Sequence, residues 1–247
     1  MIKNDKKTAR VLLKKVLEDI SEEERSLCAQ KACALIVENS FFKKSSIVLS
    51  YSPMKTEFDV SKITAAALGA GKKVYLPVIS DSGNEMDFYR VDSATTSENS
   101  ATALCGSSAF LCGLSAASCG QFKKNIYGIY EPEKNERFDF ECFLNNNEND
   151  AEPELSDKQA LKNITVLVPG LGFSPEGERL GRGKGYYDFY LSRLLSFCRK
   201  NQCGVFLVGC CFFSQTEVSF CAESHDVKMD ALLTEKSLTV LNPKNMQ

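Results

Sequence analysis

Apolar residues first recur at helical spacing. Ala9, Leu12, Leu13, Val16 and Leu17 fall on one face and predict a helix over residues 6–17. Ser21 followed by Glu24 has the form of a capping box and opens a second helix through about Glu38. The pattern then shortens to apolar runs of strand length. Ser46–Ser50 (SIVLS) reads as a buried strand, and Lys73–Leu76, Asp87–Val91, Ile164–Val168, Val205–Gly209 and Ala231–Thr234 read as further strands. Asp59 caps a helix through Leu68, stopped by Gly69 and Gly71, and Tyr186–Cys198 is an amphipathic helix. Strands alternating with helices predict an α/β fold: a single domain with a mixed, mostly parallel sheet and helices on both faces.

Two stretches break this order. Residues 93–120 are rich in Ser and Ala and nearly uncharged, with a short helix expected around Ala109–Leu114. Residues 141–160 hold six acidic side chains against one Lys. Both read as surface insertions, because loops accept added length at small entropic cost.

Composition narrows the function classes. Of 247 residues, 43% are hydrophobic and 25% charged, which excludes a generally disordered or fibrous chain. The formal charge of −2 disfavours attachment to nucleic acid by bulk charge. No run reaches the roughly 18 apolar residues of a membrane span, and no signal-peptide core follows the basic start. The expectation is a cytoplasmic protein that engages neither membrane nor nucleic acid. Eleven cysteines in such a chain read as reduced thiols, and no C-x-x-C pair occurs. Cys105, Cys112 and Cys119 are spaced too widely for an ordinary zinc site. His225 is the only histidine, so a Ser–His or Cys–His hydrolase requires it as the base.

The chemistry concentrates in Val168–Leu191, VPGLGFSPEGERLGRGKGYYDFYL, which runs from a predicted strand into a predicted helix. Ligands of open α/β sheets bind at this edge. Gly181, Gly183 and Gly185 let backbone N–H groups approach an anion, and Arg179, Arg182 and Lys184 add full charges suited to phosphate. The spacing fits neither the P-loop nor the G-x-G-x-x-G dinucleotide pattern. Residues 179–200 and residues 1–15 each carry six basic side chains and one acidic, two clusters able to meet around a polyanion. Asp188 is placed either to hold Mg²⁺ beside phosphate or simply to complement the helix dipole. Tyr186 and Tyr187 either stack on a ring or pack the helix start.

RLGRGKGYYD preceded by VPGLGFSPEG resembles the signature of the 5-formyltetrahydrofolate cyclo-ligase, or methenyltetrahydrofolate synthetase, family. Lys6-Lys7-Thr8-Ala9-Arg10, YSPMKTEFDV (Tyr51–Val60), Leu76-Pro77, Met86-Asp87-Phe88, YGIYEP (Tyr127–Pro132) and HDVKMD (His225–Asp230) agree with it in order. Val60 stands where Thr is common in that family. The resemblance implies ATP-dependent conversion of 5-formyltetrahydrofolate to 5,10-methenyltetrahydrofolate through phosphorylation of the formyl oxygen, with ADP and phosphate released. It implies that Lys6, Arg10, Arg179, Gly181, Arg182, Gly183, Lys184, Gly185, Tyr186 and Tyr187 bind ATP. Arg182 and Lys184 would act on the transferring phosphoryl group. Asp188 and Asp226 would hold Mg²⁺, and Tyr51, Glu57 and Tyr127 would bind the folate. A carboxylate such as Glu57 can accept paired N–H bonds from an aminopyrimidinone ring. The expected partners are ATP and a reduced folate, and the expected state is a monomer. The alternative is a noncatalytic module that binds nucleotide, folate or RNA on the same scaffold. The presence of Asp188, Lys184, Arg182 and Glu57 together favours an enzyme.

Overall fold

A computed structural model describes residues 5–80, 83, 85–91, 122–124, 130–132, 134, 136–140, 163–221, 223 and 226–241, with only the backbone given for 122–124 and 130. The two expected insertions, the Ala109–Leu114 helix, Tyr127 and His225 lie outside these residues.

The apolar runs become the centre of a seven-stranded sheet. Its strands are β1 (Ile47–Leu49), β2 (Lys73–Ile79), β3 (Met86–Val91), β6 (Ile164–Pro169), β9 (Val205–Cys210), β10 (Ala231–Leu233) and β11 (Leu238–Val240), in the order β11-β10-β9-β6-β1-β2-β3. The five inner strands, β10-β9-β6-β1-β2, run parallel, with Ile47 level with Ile164 and Ile164 level with Val205. The outer strands β3 and β11 are antiparallel to their neighbours. Short antiparallel pairs join β4 (Phe122–Lys124) to β5 (Tyr130–Pro132), and β7 (Gly172–Phe173) to β8 (Arg179–Leu180).

Alternation along the inner strands divides the core. Val48, Leu167, Phe206 and Val208 pack with α1 (Lys6–Glu18), α2 (Glu22–Val37) and α4 (Ser61–Gly69). Ile47, Leu49, Val166, Val168, Val205 and Leu207 pack with α5 (Tyr186–Asn201). The predicted α/β class, mostly parallel sheet and two-sided helical cover are therefore observed.

Local chemistry explains the element ends. Asp5 caps α1, accepting from Lys7 N at 2.8 Å and Thr8 N at 3.0 Å. Ser21 Oγ caps α2 through Glu24 N at 3.1 Å. Asp59 is not the cap of α4. That position is Val60, which has no side-chain cap, and Asp59 accepts from Ser61 N at 2.8 Å instead. A Thr at position 60 would supply the missing oxygen. Strand β2 runs through Pro77 to Ile79, beyond the Lys73–Leu76 expected from the sequence. Its register with β1 ends at Tyr75, so the missing proline N–H interrupts no β1 pairing. Helix α5 runs to Asn201, and Gln202 then turns the chain at φ 53°. A short helix α3 (Ser40–Lys44), capped by Asn39, and a 3₁₀ turn at Phe213–Thr216 were not anticipated.

The connections place the ligand edge. β1 reaches β2 through α4 on one face, while β6 reaches β9 through α5 on the other. Successive units thus travel in opposite directions from β1 and β6, and a crevice opens beyond the carboxyl ends of these two strands. No described helix is long and apolar enough to cross a membrane.

Candidate active site

Ser50-Tyr51-Ser52 leaves β1 and Pro169-Gly170 leaves β6 at that crevice, which is a cavity of about 860 Å³. The glycine loop forms one wall. After β8 the chain passes through Gly181–Gly185 into α5, with Gly183 at φ 99° and Gly185 at φ 74°. Side chains rarely tolerate this left-handed backbone, so glycine is required at both turns. Gly185 is the N-cap of α5, and no side chain caps the helix. The first backbone N–H groups and the positive end of the dipole are thus available to an anion. A Cβ at Gly181 would sit 2.9 Å from the Arg179 guanidinium and would push that side chain aside.

The cations arrive from three elements. Arg10, on α1, donates from Nε to Gly181 O at 2.9 Å and ties the loop to the helix. Lys6, one turn earlier, contacts Asp226 at 2.8 Å and Glu223 at 3.1 Å. Burial acts to lower the Lys6 pKa, but these two carboxylates outweigh it and hold it above the usual lysine value. Arg179 is nearly buried, donates to Asp188 Oδ2 at 2.8 Å and Pro169 O at 3.3 Å, and lies over the Tyr187 ring. Lys184 is exposed on the cavity rim and makes no ion pair with a described residue.

The opposite wall is the segment after β1. Glu57 is half-buried and its Oε1 accepts from Arg182 Nε at 3.1 Å, while Oε2 accepts from Met54 N at 3.0 Å. Tyr51 contributes a ring to the wall, because its hydroxyl is committed to Phe58 O at 2.7 Å. Burial drives the Tyr51 and Tyr187 phenols well above their ordinary pKa, so both remain neutral. Tyr186 donates to Gly83 O at 2.6 Å. Of the residues expected to act together, the structure gathers all except Tyr127, which lies outside the described residues.

Sequence reasoning missed the wall contributed by Pro77, Ile79 and Met86, which comes from the β2–β3 hairpin. It also missed Glu223 as a second partner of Lys6. No motif marks Glu223, and only the fold brings it to α1. Among the described residues there is no group of three potential metal ligands.

The sequence profile of the 5-formyltetrahydrofolate cyclo-ligase family matches residues 2–235. The chain belongs to this family. A 5-formyltetrahydrofolate cyclo-ligase of Mus musculus is 25% identical over 236 residues, covering 96% of each chain. A mitochondrial 5-formyltetrahydrofolate cyclo-ligase of Arabidopsis thaliana is 24% identical over 251 residues, covering 96% of this chain and 78% of the relative. The solved structure of Aquifex aeolicus 5,10-methenyltetrahydrofolate synthetase superimposes with a TM-score of 0.61 at 27% identity, covering 96% of this chain and 92% of the other. The cyclo-ligase match includes both walls of the cavity: the 51–60 segment that carries Glu57 and the 168–188 segment that carries the glycine loop.

Proposed function

We propose that this cyclo-ligase family member converts 5-formyltetrahydrofolate and ATP to 5,10-methenyltetrahydrofolate, ADP and phosphate in the cavity between β1 and β6. One observation carries the reading. An uncapped helix start with a cationic glycine loop faces a half-buried carboxylate across the same cavity. The first suits a polyphosphate, and the second suits the N–H edge of a pterin.

The loop N–H groups, Arg182 and Lys184 hold the γ-phosphate, with Lys6 and Arg10 approaching from α1. Phosphoryl transfer depends mainly on positioning and charge neutralisation. The formyl oxygen attacks the γ-phosphorus and ADP departs. N10 of the folate then attacks the formyl carbon and releases its proton to solvent, and the carbon–oxygen bond breaks with the electron pair leaving on phosphate. No described lining residue is His or Cys, in keeping with direct transfer to the substrate.

The carboxylates fit Mg²⁺, which needs only one or two of them beside phosphate oxygens and water. Asp188 uses one oxygen for Arg179 and lines the cavity beside the loop. Asp226 engages both oxygens with Lys6 and Glu223 N, so it becomes a second ligand only when Lys6 moves to phosphate. The metal would draw charge from the β- and γ-phosphate oxygens. The same reading takes the protein as a cytoplasmic monomer acting on small molecules, away from membrane and nucleic acid. The near-neutral formal charge supports the last point.

The test is isotopic. Substrate carrying heavy oxygen in the formyl group is expected to deliver that oxygen to inorganic phosphate during turnover, read by mass spectrometry with labelled water as control. Phosphate that takes its new oxygen from water while cyclisation proceeds would exclude direct transfer.

A further inference from the structure

Glu57 and Arg182 stand on opposite walls of the cavity and bond to each other across it. Arg182 Nε holds Glu57 Oε1 at 3.1 Å, and its Nη2 lies 3.5 Å from Thr56 Oγ1. The second Glu57 oxygen accepts from Met54 N. A pterin that pairs with both Glu57 oxygens therefore competes with Arg182 for this carboxylate. A phosphate that takes the Nε edge of Arg182 likewise competes with Glu57. A second group in the same cavity is unsatisfied. The buried Tyr187 hydroxyl has no hydrogen-bond partner among the described residues, although it lies within electrostatic reach of both Glu57 and Arg179. A polar group stranded in this way favours any rearrangement that gives it a partner.

We propose that the Arg182–Glu57 pair is a latch shared by the two substrate pockets: nucleotide draws Arg182 to its phosphates, uncovers Glu57 and thereby raises affinity for the folate. The inference rests on the proposed function, in which Glu57 receives the folate and Arg182 the phosphates. With the latch closed, folate binds only the fraction of molecules in which it is open, so its apparent affinity falls by that fraction. Linkage makes the effect reciprocal, and folate raises nucleotide affinity by the same factor. Arg182 is 37% exposed and Glu57 12%, so the pair is partly screened. A coupling of about fivefold is expected for such a pair.

Calorimetric titration of 5-formyltetrahydrofolate into the protein tests the latch, with and without a saturating Mg²⁺ complex of the β,γ-imido analogue of ATP. The wild-type protein is expected to bind folate about fivefold tighter with the nucleotide present. Arg182→Met is expected to bind folate tighter than wild type in the absence of nucleotide, and to gain nothing further when nucleotide is added. Simple loss of positive charge should weaken binding of an anionic folate, so tightening is specific to the latch. Lys184→Met, which removes a neighbouring charge without touching Glu57, is expected to weaken nucleotide binding and not to tighten nucleotide-free folate binding. Equal folate affinity with and without nucleotide, no tightening in Arg182→Met, or equal tightening in Lys184→Met would each overturn the proposal. Turnover by the wild-type protein separates this from the reaction itself. Active but uncoupled enzyme overturns the latch alone, and a wild-type protein that binds no 5-formyltetrahydrofolate overturns both.

Discussion

Arg179 and Lys184 sit five positions apart in one cationic segment, yet the structure gives them different work. Arg179 is nearly buried and tied to Asp188 and Pro169, so it orients the carboxylate at the start of α5. Lys184 stands on the rim with its charge available. Lys184→Ala is therefore expected to lower kcat by about 10²–10³-fold with little change in stability, as measured by steady-state kinetics and thermal unfolding. Asp188→Asn is expected to raise the Mg²⁺ concentration needed for half-maximal activity. Full activity combined with a lower Tm would assign Asp188 to the helix dipole instead. The thiols divide similarly. Burial raises the pKa of Cys28, Cys33, Cys210 and Cys211, and Cys198 is raised first by its hydrogen bond with Cys203 and then by burial. A raised pKa means less thiolate at a given pH. Exposed Cys221 is thus expected to react with iodoacetamide at pH 8 before these five, as read by peptide mass spectrometry.

Each wall of the cavity depends on an element that the sequence displayed to a different degree. Helix α1 was legible because Ala9, Leu13 and Leu17 repeat at helical spacing, and all three are buried against the sheet. Strands β6 and β9 were legible because short, largely apolar runs suit strands covered on both faces. Strand β2 was read only as far as Leu76, because the pairing of Pro77–Ile79 with β3 is set by the fold. The candidate site was legible where one segment carries several partners, as in Gly181–Asp188. The Lys6–Glu223 and Arg182–Glu57 pairs were not, because separations of this kind are set only by the fold. Leu13→Ala removes fully buried volume beneath the helix that presents Lys6 and Arg10. It is expected to lower stability by about 2–5 kcal/mol in urea unfolding. It should also weaken nucleotide binding, although Leu13 is not among the cavity-lining residues.

The sheet holds the molecule together, but the cavity is assembled from distant stretches of chain. A nucleotide that binds only the folded form adds about 2.7 kcal/mol of stability at a hundredfold excess over Kd. For 247 residues, that corresponds to a rise in Tm of about 5–10 °C. Calorimetry with the Mg²⁺ complex of the imido analogue is expected to show this rise, and to show a smaller one for Lys184→Ala at the same ligand concentration. The Lys6–Asp226 bond, which spans 220 positions, has a consequence for biosynthesis. The ribosome releases α1 early, the glycine loop much later and Asp226 later still. Domains fold largely as units as the chain emerges, so early-made α1 must wait for partners that do not yet exist. A nascent chain stopped before residue 223 can already carry β1, β2 and β6, yet Lys6 then has neither Glu223 nor Asp226 to hold it. Competence to bind nucleotide should therefore appear abruptly once residues 223–226 have emerged rather than accumulate with length.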